Sequence, residues 1–130
     1  MDTILNAYKF IEAPSSVKAV WWNKTQNNTL QEFNSPLQTV VYELEAPADG
    51  NYDVVLSIST LSNEVSDKVL VVGDVMGKFH VPATSTYSDL QGLRINTNLP
   101  LKAGKNQIKI INIDNGRTIL DWVGLIKSEK

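Results

Sequence analysis

Residues 99–125, LPLKAGKNQIKIINIDNGRTILDWVGL, decide the fold. They read as a strand, a glycine turn at Gly104, a second strand, a polar loop over residues 112–116 and a final apolar strand. Short apolar runs punctuated by Gly and Asn turns are the mark of antiparallel sheet. The last strand carries one carboxylate, Asp121, among apolar residues. Such a group is costly to bury without a partner or a metal, so Asp121 needs an explanation.

The same period of two runs back through the chain. Val40, Tyr42, Leu44 and Ala46 share one face, with Val41, Glu43 and Glu45 on the other. Val54, Leu56 and Ile58 oppose Asp53, Val55 and Ser57. Residues 69–72, 79–81, 93–99, 107–111 and 119–126 behave alike, and turn signals at 48–51, 73–74, 82–85, 102–105 and 114–116 separate them. No long amphipathic helix is visible. The pattern predicts an all-β protein, an antiparallel sandwich or jelly roll, forming one domain over residues 1–130. The pair Trp21-Trp22 departs from it: neighbours in a strand point to opposite faces, so at most one enters a core and the other lies outside.

Composition excludes several classes of function. There is no cysteine among the 130 residues, which removes disulfides, thiol catalysis and thiolate metal sites. A net charge of −2 and a pI of about 5.3 argue against a nucleic-acid partner. No apolar run reaches the roughly 18 residues of a membrane helix. The first seven residues lack the pattern of a signal peptide, so the expectation is either an intracellular protein or a module separated from its export signal and neighbours.

Catalytic signatures are missing. His80 is the only histidine and sits in a short apolar strand, with no Gly-x-Ser-x-Gly turn elsewhere. The 14 carboxylates are scattered, and a sandwich of this size seldom builds the deep cleft a glycosidase pair needs. The expectation is therefore no enzyme. Residues 112–116, NIDNG, begin like a calcium loop but lack the distant glutamate, and serve equally as an Asx-rich turn. Trp122 is expected in the core. Loop aromatics near amides, namely Trp21 or Trp22, Phe33 and Tyr87, suit stacking on sugar rings.

Taken in order, several segments resemble carbohydrate-binding modules of families 6 and 35, which share a galactose-binding-like β-sandwich. Phe10-Ile11-Glu12-Ala13 is similar to their opening Glu-Ala-Glu strand. Residues 41–47 lead through Asp49-Gly50-Asn51-Tyr52 into residues 54–58, like their strand, Ala-Gly-x-Tyr turn and strand. Residues 77–84 resemble a short strand entering a Pro-x-Thr loop. Residues 101–106 and Leu120-Asp121-Trp122-Val123 resemble the closing Leu-x-Ala-Gly-x-Asn and Leu-Asp-Tyr-Ile elements. The likeness runs from about residue 10 to residue 126.

The resemblance implies a site and a metal. Tyr87 matches the stacking aromatic of the Pro-x-Thr loop, and Asn115 is the nearest candidate for an asparagine before the last strand. The early-loop aromatic is Trp22 or Phe33, with Trp22 favoured because polar residues follow it. A structural calcium would join Glu12 to Asp121, although Pro14 stands where those families have a second glutamate. The implied function is non-catalytic binding of a poly- or oligosaccharide in a secreted or cell-surface protein. The module would be attached to a catalytic domain, with no nucleic-acid or membrane partner. The alternative is a structural or adhesion sandwich without sugar binding.

Overall fold

The computed structural model describes residues 1–60, 64–84, 86 and 89–128. Among these, ten strands pair antiparallel in two sheets. The first sheet has the order β2-β3-β10-β5-β8, with β1 also on β10: β1 Thr3–Asn6, β2 Lys18–Trp22, β3 Asn27–Phe33, β5 Gly50–Thr60, β8 Gln91–Leu101 and β10 Thr118–Lys127. The second has the order β4-β9-β6-β7: β4 Thr39–Ala46, β6 Ser66–Val72, β7 Val75–Val81 and β9 Gly104–Asn112. The two sheets face each other as a sandwich, as the alternation predicts.

The core follows that alternation. Val40, Tyr42, Leu44 and Ala46 of β4 meet Tyr52, Val54, Leu56 and Ile58 of β5, together with Ile108, Ile110, Leu120, Val123 and Leu125. Two tyrosines within it satisfy their hydroxyls on backbone: Tyr42 Oη donates to the Ala7 carbonyl at 2.7 Å and Tyr52 Oη to that of Ala48 at 2.7 Å. The first of these pins the segment that crosses from β1 in one sheet to β4 in the other, where Glu12 and Val41 form an isolated bridge.

The first three strands lie outside the sequence prediction. β1 and β2 are short, β1 mostly half-buried and β2 mostly exposed, with burial patterns that do not alternate. β2 and β3 form a hairpin closed by residues 23–26, whose Gln26 takes a φ of 55° while its N–H donates to the Trp22 carbonyl at 2.9 Å. Glu32, with a φ of 61°, breaks the alternation of β3, so that Leu30 and Phe33 both enter the core.

Trp122 corrects an expectation: it is half-buried and lies outside the core cluster. The cause is a bulge. Leu120 pairs with Ile58 of β5 and Trp122 with Ser57, so Asp121 is an inserted residue. A bulge resets which residues face inward, and here it sends Leu120, Val123 and Leu125 into the core.

At the other end of β5, Asp53 is 4% exposed. Its carboxylate accepts from Arg94 Nε, Asn98 N–H and Ser128 Oγ, each at 2.9 Å. Burial pushes its carboxyl upward, but the hydrogen bonds from Asn98, Ser128 and Arg94 win and hold it below its ordinary value. A depressed folded value means stability that is present above the unfolded value and lost as the pH falls through the folded one. Replacing Asp53 by Ala strands a half-buried guanidinium and a backbone N–H at a positive-φ residue. Asp53→Ala is expected to cost about 2–4 kcal/mol in urea unfolding at pH 7, with the difference from the parent shrinking toward pH 3.

Candidate functional site

One end of the sandwich gathers the chain's polar loops. Thr118, at the start of β10, pairs with Phe33 on one side and Thr60 on the other, and its Oγ1 donates to the Phe33 carbonyl at 3.2 Å. Thr60 is latched to the loop after β7: Thr60 N–H donates to Thr84 Oγ1 at 2.9 Å, and Thr84 N–H to Thr60 Oγ1 at 2.8 Å. The ends of β3 and β5, the loop before β10 and the segment leading toward residue 87 therefore meet here. Tyr87 itself lies outside the described residues.

Gln38 shapes the turn after β3. Its side-chain oxygen accepts from the N–H groups of Asn34 and Ser35 at 2.8 and 2.9 Å. Its amide nitrogen donates to Ser16 Oγ and the Glu32 carbonyl, both at 3.0 Å. Beside this turn lies a recess of about 240 Å³ with a polar lining of Gln31, Glu32, Asn34, Arg117 and Thr118, flanked by Phe33 and Ile119. Arg117 is paired with Glu64 through Nε at 2.9 Å and a second guanidinium nitrogen. The side-chain hydrogen bonds from Arg117 hold Glu64 below its ordinary value.

Asn115 is exposed in the adjoining loop. That loop is held by Asp114, which accepts from Ser66 Oγ at 2.9 Å, Asp67 N–H at 2.8 Å and Gly116 N–H at 2.9 Å. It is an Asx-type turn whose oxygens already have protein donors. Gly116 permits the close approach: a Cβ there would lie 2.8 Å from Ser66 Cβ and collide with the Val65 carbonyl.

Trp22 is not brought to this end. It pairs with Asn27 at the hairpin tip, six residues before Phe33, which is roughly 20 Å of strand. Neither tryptophan of the pair belongs to the core cluster; Trp21 is 58% exposed and Trp22 half-buried. Phe33, the other early aromatic, sits at the right end but is 1% exposed. His80 is exposed on β7, with Nδ1 2.8 Å from Asp67 Oδ1.

Lys68 escaped sequence reading altogether. It is fully buried on the inner face of β6, with Nζ 4.4 Å from the centroid of the Phe33 ring. In the sequence it stands between Asp67 and Val69, in the position of an ordinary surface lysine. Its one legible signal is parity: Ser66, Lys68 and Leu70 share a face, and Leu70 belongs to the core.

The acidic pair expected to hold calcium is thin. Glu12 is exposed, and its backbone carbonyl already accepts from Val41 N–H at 2.8 Å. Asp121 is half-buried at the bulge, and burial raises its carboxyl above 3.8 with no hydrogen bond or cation opposing that. Among the described residues no group of three or more His, Asp or Glu side chains lies together closely enough to hold an ion. Calcium takes six to eight oxygens, so a site here would draw most of its ligands from backbone carbonyls and other groups rather than from these two carboxylates. Because the folded value of Asp121 is raised, its ionisation costs stability as the pH rises through that value. Asp121→Asn is expected to gain in melting temperature relative to the parent between pH 4 and pH 7. Melting temperatures in excess EDTA and in added calcium decide the metal: a calcium-dependent rise supports it, and coincident values remove it.

No family model and no curated protein sequence matches the chain. Solved structures do. A family 6 carbohydrate-binding module from Cellvibrio mixtus lichenase 5A, in complex with cellotriose, superposes with a TM-score of 0.78 at 16% identity, covering 98% of both chains. A family 35 carbohydrate-binding module from an environmental isolate gives 0.77 at 18% identity, covering 95% of this chain and 91% of that one. The exo-beta-1,3-galactanase of Phanerochaete chrysosporium, solved with galactose, gives 0.78 at 15% identity, covering 95% of this chain and 29% of the enzyme. The chain therefore has the β-sandwich fold of carbohydrate-binding modules of families 6 and 35, as its motif order predicts.

Proposed function

We propose that this protein is a non-catalytic carbohydrate-binding module that holds a poly- or oligosaccharide at the loop end of the sandwich. The observation that carries the reading is the convergence there of the recess beside Phe33, the exposed Asn115 and the latched segment leading to Tyr87. Amide and guanidinium groups of Asn34, Gln31 and Arg117 can pair with sugar hydroxyls. An aromatic side chain can stack on a pyranose face. At about 240 Å³ the recess is smaller than the roughly 300–1,000 Å³ of enclosing ligand pockets, which suits shallow contact with part of a chain. Binding of this kind is weak per site, because stacking and a few hydrogen bonds must offset immobilisation and desolvation.

The fold neighbour embedded in a larger galactanase supports a role beside a catalytic domain, where such a module would raise the local concentration of enzyme on an extracellular polysaccharide. A secreted or cell-surface setting follows from that role. His80 is engaged with Asp67, and Asp53 and Asp114 are occupied by protein donors, which supports binding without catalysis.

One observation favours the adhesion reading. β2 is an edge strand that leaves Val20 38% and Trp21 58% exposed, and such an edge is a ready contact for another protein. The two readings separate in affinity gels spanning α- and β-glucans, xylans, mannans and galactans. Retardation by at least one glycan is expected, and it should be lost in Tyr87→Ala and weakened about tenfold in Arg117→Ala. The Arg117 change removes the exposed ion pair with Glu64, a kind of contact that contributes about 1 kcal/mol or less to stability. No retardation by any glycan, or normal retardation of both variants, would overturn the site.

A further inference from the structure

Among the described residues Lys68 is the one fully buried cation, and its hydrogen-bond partners lead to the loop that bears Asn115. Its Nζ donates to Ser66 Oγ at 3.1 Å and to Asn112 Oδ1 at 3.0 Å, and lies over the Phe33 ring. Ser66 Oγ donates to Asp114 Oδ1 at 2.9 Å, which also accepts from the Gly116 N–H. Asn112 closes the circuit through its backbone, donating to the Gln38 carbonyl at 2.8 Å and accepting from Leu37 N–H. Its side-chain Nδ2 is buried without a partner. The orientation of that amide is set by its oxygen, which accepts from the Lys68 ammonium group.

We infer that Lys68 is a positioning residue: its buried ammonium group holds residues 112–116, and with them Asn115, against β6 and the Phe33 ring. The inference rests on the sugar-binding reading for its purpose, and on the hydrogen-bond geometry for its existence. Asp114 is the charged group that faces Lys68. Asp67, on the opposite face of β6, is occupied by His80 and Lys78 of β7. Glu32 of β3 and Lys109 of β9 are exposed, and Glu64 is paired with Arg117. Burial lowers Lys68 to about 7, with Asp114 opposing the shift. The attraction between Lys68 and Asp114 is therefore present in mild acid and fades above neutrality, and the loop should loosen over the same range.

Global stability has the opposite slope. With a folded value near 7 against 10.5 unfolded, the unfolded chain binds more protons in that window, so the stabilisation from this group rises with pH.

The test is amide exchange of the whole chain at Gly116 and Asp67, corrected for intrinsic rates. In Lys68→Met, which removes the charge at similar volume, the fold should persist with a melting temperature at or above the parent's at pH 6. Exchange at both amides should be about tenfold faster than in the parent at pH 6. The parent itself should approach the variant's rates between pH 6 and pH 8.5. Equal exchange in parent and variant at pH 6 would overturn the inference. If Lys68→Met does not fold, the parent's pH series decides alone, and a flat series overturns it. Cellotriose binding, measured on the same samples, should weaken with the loosening; a loosened loop in a parent that binds no glycan removes the sugar reading and leaves the anchoring role standing.

Discussion

The constraint on which the rest of the structure depends is the change of partner along β10. On one side this strand runs beside β5 for its whole length, from Thr118 opposite Thr60 to Lys127 opposite Tyr52. On the other it pairs first with β3, at Thr118 and Leu120, and then with β1, from Trp122 to Leu125. Two short strands approaching from different places cannot share one straight edge. The extra residue at Asp121 takes up the mismatch, since a bulge bends the strand and increases its local twist. Ala7 N–H donates to the Asp121 carbonyl at 2.9 Å, so the crossover to the second sheet starts at this residue. The carboxylate that looks misplaced in an apolar strand belongs to the one residue of β10 that has no ladder partner on β5.

Two chemically different ends result. At the β5 start, Asp53 is surrounded by donors and ties β8 and the C-terminal segment to the sheet. At the β5 end, Thr60, Thr84, Thr118, Gln38, Ser66, Lys68 and Asn112 form a polar cap that is buried although it is not apolar. A hydrogen-bonded polar network specifies one arrangement of loops more sharply than apolar packing does, and in this one Asn112 Nδ2 is left without a partner. Six of these seven residues are uncharged, so the cap accommodates the single cation, Lys68, through Asn112, Ser66 and the nearby Asp114. An exposed recess next to a rigid cap is a favourable place to present groups to a ligand, because little ordering entropy remains to be lost on binding.

The fold was legible wherever apolar runs were bounded by turn residues. β4, β5, β9 and β10 declare themselves because each buries one face at least and is bounded by turn residues such as Gly50 and Gly104. β1 to β3 did not: β1 is only four residues long, β2 is an edge strand with most side chains exposed, and the positive φ of Glu32 breaks the alternation of β3. The site was legible in part for a related reason. Residues 112–116 announce a turn by composition, but nothing local separates Trp22 from the loops at the far end of β3. Adjacent position in a polar stretch is no measure of distance when a hairpin carries the residue roughly 20 Å away.

By itself, the sequence determined an all-β antiparallel sandwich, the turn positions and the faces of the central strands, because side-chain parity along a strand is a local property. Only the tertiary structure decided which carboxylates have partners, that Phe33 is core while Trp122 is not, and that Lys68 lies inside. Each of these depends on where a bulge resets the parity and on which strands converge on one end of the sandwich. Those are consequences of chain crossing and sheet pairing, and they bring together groups more than forty residues apart, as Lys68 and Asn112 are.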